Sequence, residues 1–110
     1  MATFDDFMRL DIRVGTITEA KTFEKARRPA YQLWVDLGEE IGVKKTSAQI
    51  TDYYKPEDLI GKKIMLVANL KPAKLCGVES CGMICAADMP NGDVKVIFPD
   101  DSLPVGAKIR

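Results

Sequence analysis

The sequence predicts an all-β protein with a five-stranded barrel, a short helix between strands 3 and 4, and a short N-terminal helix. Three observations lead to this prediction. Apolar and polar residues alternate over 31–37, which is typical of a strand with one buried face. Two continuous apolar runs, at 64–70 and 81–87, surround a polar loop and indicate a hairpin within a covered sheet. A proline and two carboxylates at 56–58 favour one helical turn between these regions.

Length and composition predict a single domain over residues 1–110. The chain has 110 residues and 46% of them are apolar, enough to bury about 60–70% of the unfolded surface in one core. No apolar run approaches the ~20 residues that cross a bilayer, and no basic segment followed by an apolar one begins the chain. We therefore expect a cytoplasmic protein without membrane insertion.

Charge and residue types argue against catalysis. Sixteen basic and sixteen acidic side chains give a net charge of zero, so attraction to nucleic acid must come from local placement. The chain contains no histidine. Neither Ser80 with Lys74 nor Asp100 with Asp101 matches a recognisable catalytic pattern. We predict a protein that is not an enzyme and has no cofactor.

The cysteines favour a structural role. Their number, three, is odd and fits a reducing compartment. Along an extended strand Cys81 and Cys85 stand about 13 Å apart, too far to share one metal ion, so no metal site is predicted. We expect both thiols in the core. Cys76, in the loop, is the thiol best placed to act as a sensor.

The first helix is predicted over 4–9. Thr3 and Asp6 have the spacing of a capping box at its N-terminus. Such a short helix needs to bury its apolar face against the barrel or against a second copy of the chain. That face consists of Phe4, Phe7 and Met8.

The first strand is predicted over 11–20, and its apolar positions change parity near Gly15. We expect a bulge or sharp bend there. Segment 21–30 has mixed charge and a proline, which indicates a solvated loop. The third strand is predicted over 43–51. Polar side chains outnumber the apolar ones in it, and we expect it to expose Lys44 and Lys45.

Trp34 lies on the polar face of the second strand. The sequence leaves three interpretations open: it covers a neighbouring loop, it lies in a contact between subunits, or it offers a stacking platform to a base or an apolar peptide.

The order of these elements predicts an OB-fold. Among common small folds, this one has its helix between strands 3 and 4 of a five-stranded barrel. In OB-folds, the face of strands 2 and 3 and the loop between strands 4 and 5 bind oligonucleotides.

Two motifs resemble a known family. DIRVG at 11–15 and VANLKPAKLCGVESCGMICAA at 67–87 are similar to the OB-fold tRNA-binding domain family. That family includes the C-terminal appendage of bacterial methionyl-tRNA synthetases and the export-related chaperone CsaA. The resemblance covers almost the whole chain, and its earlier segments look most like CsaA.

The resemblance implies a tRNA site in the hairpin formed by 64–70 and 81–87, where its two strands meet the polar loop. The family's asparagine, serine and methionine match Asn69, Ser80 and Met83. Uncharged side chains of this kind contact bases, while cations contact phosphates. The cations assigned to this site are Lys71, Lys74, Arg13, Lys44 and Lys45.

Each of these residues also has a structural interpretation. Asn69 and Ser80 can satisfy backbone groups where the hairpin opens, and Arg13 can pair with Asp11 or Glu79. Met83 shares strand parity with Cys81 and Cys85, so a regular strand would bury all three side chains on one face. A bulge at Gly82 would instead turn Met83 toward solvent.

The resemblance finally implies a homodimer that binds tRNA by shape, backbone phosphate and a few base contacts. The alternative is a CsaA-like chaperone that holds unfolded or export-bound polypeptides. An aminoacyl-tRNA synthetase is a further candidate partner. The dimer interface is expected at Phe4, Phe7, Met8 and the segment after Phe98.

Overall fold

The computed structural model describes residues 1–24, 28–75 and 78–110. Cys76, the candidate sensor thiol, lies outside the described residues, as does the centre of the loop predicted over 21–30. The helices are α1 (Phe4–Met8) and α2 (Pro56–Leu59). The strands are β1 (Ile12–Thr22), β2 (Tyr31–Asp36), β3 (Val43–Ala48), β4 (Lys63–Val67), β5 (Ala73–Leu75), β6 (Val78–Ser80), β7 (Met83–Ile84), β8 (Ala86–Asp88) and β9 (Val94–Val96).

Five strands form an antiparallel sheet in the order β3-β2-β1-β4-β7. This sheet curls until its two edges meet. The backbone N–H of Cys81, between β6 and β7, donates to the carbonyl oxygen of Lys45 in β3 at 2.7 Å. The result is a nearly closed barrel of the OB type, with α2 between β3 and β4, as the element order predicts.

Two small ribbons extend the barrel. β5 pairs with β6, and β8 pairs with β9. The β5–β6 ribbon follows β4 and occupies the place of the polar loop predicted between the two apolar runs. Of the loop lysines, Lys74 lies within β5 and Lys71 precedes it.

Alternation places one face of each main strand in the core. Along β2 every second side chain is buried, as the sequence predicts. The fully buried set includes Ile17, Leu33, Val35, Leu37, Ile50, Leu59, Ile64 and Leu66. Gly15 also faces this interior, because a Cβ built there would lie 2.5 Å from the Cγ1 atom of Val35.

The bulge predicted near Gly15 lies three residues further on. Gly15 pairs regularly with Ile64 of β4, whereas the pairing of β1 with β2 shifts between Ile17 and Glu19. Thr18 is the extra residue. The prediction was wrong because Val14 and Ile17 are both buried on opposite faces of a strand that is covered on two sides, and no bulge is needed between them.

Strand ends differ from the predicted ones. β1 continues to Thr22, two residues into the predicted loop, while β4 ends at Val67 and its last predicted residues form a turn. The apolar run at 81–87, predicted as one strand of a hairpin, is divided between β7 and β8, because its halves pair with different strands, β4 and β9.

Both helices lie where the sequence predicts them, and α1 has the predicted capping box. Thr3 accepts the N–H of Asp6 at 3.2 Å, and the Asp6 carboxylate accepts the N–H of Thr3 at 2.9 Å. α1 ends at Met8, one residue earlier than predicted. Within the described ranges, neither helix is long and apolar enough to cross a membrane.

Candidate nucleic-acid interface

The β5–β6 ribbon exposes the two lysines that the sequence assigns to phosphate. Lys71 precedes β5, Lys74 lies within it, and both are exposed. Lys74 is the strand partner of Glu79 in β6. Neither lysine forms an ion pair within 4.0 Å in the part of the chain that the structure describes. Both ammonium groups are therefore available to an anionic partner, with one carboxylate nearby.

Asn69 is exposed, but its amide is already hydrogen-bonded at both ends. Its Oδ1 accepts the backbone N–H of Asp11 at 2.8 Å, and its Nδ2 donates to the carbonyl oxygen of Arg9 at 2.7 Å. The side chain thus fastens the segment between α1 and β1 to the end of β4. One lone pair and one amide hydrogen remain for an RNA base.

Ser80 lies inside the barrel seam, the line along which β3 meets the segment between β6 and β7. Only 8% of Ser80 is exposed. Its hydroxyl oxygen accepts the N–H of Ser47 at 3.0 Å and lies 3.5 Å from Oγ1 of Thr46. Because Thr46 donates its one proton to the carbonyl oxygen of Gly82 at 3.1 Å, the Ser80 hydroxyl is the donor toward Thr46. These hydrogen bonds support the structural interpretation of Ser80, in which its hydroxyl satisfies a backbone group.

Met83, in contrast, is 55% exposed. The preceding Gly82 has φ of 79°, a left-handed conformation that glycine adopts readily. This bend places Ile84 in the core and turns Met83 outward. Met83 pairs with Val67, two residues before Asn69, so both lie at the same end of β4.

Lys44 and Lys45 are both half-buried, less exposed than the sequence predicts, and they point in different directions. Consecutive residues of a strand face opposite sides of the sheet. Lys44 pairs with Val35 and shares a face with the buried Thr46, whereas Lys45 pairs with Trp34 on the outer face. Only Lys45 therefore extends the outer surface beside the seam.

Trp34 is partly buried beneath two lysines. The Nζ atoms of Lys21 and Lys45 lie 5.5 Å and 5.1 Å from its ring centroid. Both distances are within the range of cation–π contacts. The tryptophan is thus part of a positively charged surface on the outer face of β1, β2 and β3.

Arg13 is held by carboxylates. Its Nε lies 2.6 Å from Oδ1 of Asp11, and its Nη1 lies 3.4 Å from Oε2 of Glu40. Nη1 also donates to the carbonyl oxygen of Gly106 at 3.0 Å. The hydrogen bond with Asp11 raises the pKa of Arg13 above its usual value. These contacts occupy the guanidinium, which joins β1 to the C-terminal segment.

The residues predicted for a dimer interface are accessible. No residue of α1 is buried. Phe4 is 74% exposed, Phe7 is half-buried, and Met8 and Phe98 are exposed. Phe98 stacks edge-on against Tyr54, with their ring centroids 6.0 Å apart.

The two described cysteines are half-buried, so they are less enclosed than the core positions predicted for them. Burial raises the pKa of the Cys85 thiol. Cys81 donates from its Sγ to the Glu79 carboxylate at 3.6 Å.

Sequence reasoning missed the contribution of Lys21. It was assigned to a solvated loop, but β1 extends past it and brings it over Trp34. The alternation of Glu19 and Lys21 around the small Ala20 is the signal that indicates a strand here.

Comparison with known proteins identifies the family of the chain. A family model described as a putative tRNA binding domain matches residues 12–108. The chain belongs to this family.

Two chaperone structures and one synthetase-related structure share its fold. CsaA from Bacillus anthracis has a TM-score of 0.93 and 45% sequence identity, covering 100% of this chain and 99% of its own. CsaA from Picrophilus torridus has a TM-score of 0.93 and 42% identity, with 100% of both chains covered. A protein from Pyrococcus horikoshii, related to methionyl-tRNA synthetase, has a TM-score of 0.89 and 34% identity, covering 100% of this chain and 98% of its own.

Sequence relatives include much longer proteins. The methionine–tRNA ligase of Methanocaldococcus jannaschii is 45% identical over 102 residues, which are 93% of this chain and 15% of the ligase. This chain thus spans about 15% of the length of the curated relatives it matches.

Proposed function

We propose that this chain is a non-enzymatic, homodimeric tRNA-binding protein of the cytoplasm. It recognises tRNA by shape and backbone phosphate, with a few base contacts. The observation that carries the proposal is the pair of exposed lysines, Lys71 before β5 and Lys74 within it, in a barrel of the tRNA-binding family.

Within this proposal the predicted site residues have different roles. Lys71, Lys74 and Lys45 contact phosphates, and Met83 offers an exposed polarizable surface to a base. Asn69 retains limited capacity to contact a base, while Ser80 supports the surface from within the seam. Lys44 contributes charge from the face of β3 opposite Lys45, and the charge of Arg13 is largely compensated by Asp11 and Glu40.

Salt dependence tests the assigned surface. Each phosphate contact releases counterions, so tRNA affinity should fall steeply between about 50 and 200 mM salt. The Lys71→Ala, Lys74→Ala double variant should bind more weakly, and the slope of log K against log salt should fall by about one to two, because two contacts are lost. Filter binding at several salt concentrations measures both quantities.

A double variant of equal charge provides the control. Lys55 and Lys62 are exposed near α2 and the start of β4, the end opposite Asn69. Changing both to alanine should leave most of the affinity and the salt slope intact. If both double variants lose the same affinity, binding depends on overall charge and the ribbon is not the interface.

The homodimer is tested separately. Phe4 and Met8 present apolar surface that association would bury. We expect Phe4→Ser with Met8→Ser to shift sedimentation from dimer to monomer. The matched control is Val43→Ser with Ile60→Ser, which removes two other exposed apolar side chains. A wild-type protein that sediments as a monomer would contradict the proposal.

A second candidate function is a chaperone that binds unfolded or export-bound polypeptides. The likeness to two proteins described as CsaA chaperones and the exposed apolar side chains of α1 favour it. Apolar peptide binding should change little over the salt range that weakens tRNA binding. The likeness to methionine–tRNA ligases also makes an aminoacyl-tRNA synthetase a candidate partner, and copurification from cell extract tests that association.

A further inference from the structure

Trp34 is the single tryptophan of the chain and lies at the centre of a charged cluster on the outer barrel face. Its strand partners are Glu19 on one side and Lys45 on the other. Lys21 reaches the same ring diagonally, with its Nζ 5.5 Å from the centroid. A flat apolar ring is thus bordered by cations from two neighbouring strands.

The bulge at Thr18 produces this arrangement. If β1 continued regularly from the buried Ile17, then Glu19 and Lys21 would point into the core and Ala20 outward. The extra residue reverses the alternation, so that Ala20 is 8% exposed while Glu19 and Lys21 are exposed. Thr18 also donates to the carbonyl oxygen of Trp34 at 3.2 Å. Bulges often re-aim side chains beside functional sites.

The cluster carries excess positive charge. Lys21 forms an ion pair with Glu19, with Nζ and Oε1 3.0 Å apart. Lys45 forms no ion pair among the described residues. Two ammonium groups near one ring, opposed by one carboxylate, favour a partner that is anionic and also planar. An unpaired nucleotide meets both requirements.

The cluster is continuous with the proposed tRNA surface. The carbonyl oxygen of Lys45 accepts the N–H of Cys81, directly after β6. Ser47, two residues further along β3, donates its N–H to Ser80. A polynucleotide on the β5–β6 ribbon can therefore cross the seam onto the outer face of β3 and β2.

We propose that Trp34 stacks on an unpaired RNA base while Lys21 and Lys45 bind the flanking phosphates. This inference rests on the proposed tRNA-binding function and extends it to a second contact surface. The ammonium groups leave the ring for phosphate when the base arrives. Base stacking on an aromatic ring is stronger than an exposed cation–π contact, so the exchange is favourable.

Intrinsic fluorescence tests the proposal in the wild-type protein, because Trp34 is its only tryptophan. A short single-stranded oligouridylate should quench the tryptophan emission to a saturating level. A fully paired RNA duplex of equal length should quench much less, because its bases are not available for stacking. Equal quenching by both RNAs would overturn the proposal.

A variant provides a second measurement. Trp34→Leu keeps an apolar cover but removes the ring, and it should weaken oligouridylate binding by about five-fold or more. The matched control is Tyr53→Leu. Tyr53 is 41% exposed beneath Lys95, at 4.7 Å, but its hydroxyl donates to the Asp93 carboxylate, which repels phosphate. Tyr53→Leu should leave the affinity unchanged.

The outcomes separate the two proposals. If the wild type binds no tRNA in a filter assay, the proposed function fails and this inference fails with it. If tRNA binds but the emission and the Trp34→Leu affinity stay unchanged, only the inference is overturned. Emission that responds to an unfolded polypeptide and not to RNA would also overturn it, in favour of a peptide site.

Discussion

The Asn69 side chain accepts the backbone N–H of Asp11 across a gap of 58 positions in the sequence, at 2.8 Å. The same amide donates to the carbonyl oxygen of Arg9. The residue that the family resemblance assigns to tRNA is therefore also the link between α1 and the barrel. A loss of tRNA binding in an Asn69 variant has two physical explanations, which further measurements can separate.

Replacing Asn69 by alanine removes both hydrogen bonds. We expect a loss of about 1–3 kcal/mol in the free energy of unfolding, since each of the two bonds contributes about 0.5–1.5 kcal/mol. The amide of Asp11 should exchange with solvent faster. Asn69→Asp keeps an acceptor for that amide but not the donor toward Arg9, so it should protect the Asp11 amide better than alanine does.

Hydrogen exchange followed by NMR makes this measurement, with Lys71→Ala as the control. Lys71 is exposed nearby and should not affect exchange at Asp11. Unchanged exchange in Asn69→Ala, together with weaker tRNA binding, would assign Asn69 to RNA contact instead.

Ser80→Ala should destabilise the barrel seam by about 1–3 kcal/mol, because the N–H of Ser47 loses its partner. Urea unfolding measures this difference. Ser47→Ala is the matched control, since it removes a hydroxyl but keeps the N–H that Ser80 accepts. If the two variants have equal stability, the Ser80 hydroxyl does not hold the seam.

Gly82→Ala should cost more than an ordinary glycine substitution. The left-handed backbone penalises a side chain by about 1–2 kcal/mol. The added Cβ would also lie 2.8 Å from the carbonyl oxygen of Val67. Gly92→Ala is the comparison, because it has a similar φ of 90° with open space around its Cα. Thermal unfolding should show the larger loss for Gly82→Ala; equal losses would contradict the close approach to Val67.

Cys85 should react more slowly with iodoacetamide in the folded protein than in denaturant. Burial raises the pKa of its thiol, so less thiolate is present at a given pH. The pH midpoint of alkylation, followed by mass spectrometry, should be higher for the native state. This raised pKa also means that stability falls as pH rises above the unfolded thiol value of about 8.5. Identical midpoints in both states would contradict the effect of burial.

Local patterns were sufficient for much of the fold. The alternation over 31–37, the Thr3–Asp6 capping box and the proline at position 56 each depend on neighbouring residues, and all three elements are present. Their order predicted the barrel correctly. The C-terminal end of β4 and the division of the run at 81–87 were not predictable, because they depend on which distant strand supplies the pairing partner.

The site depended more strongly on distant contacts. Alternation alone sends Lys44 and Lys45 to opposite faces of their strand, but the pairing of β3 with β2 decides that Lys45 is the one beside Trp34. Ser80 is enclosed because the barrel closes at its position, and Met83 is exposed because the chain bends at Gly82.

By itself the sequence determined the all-β class and the positions of the main elements, and it supplied the candidate site residues around the hairpin formed by 64–70 and 81–87. Only the tertiary structure decided which of those side chains are accessible, and it brought Lys21 over Trp34 through the bulge at Thr18. The physical reason is that periodicity defines two faces of a strand, whereas register and closure of the sheet determine what covers each face.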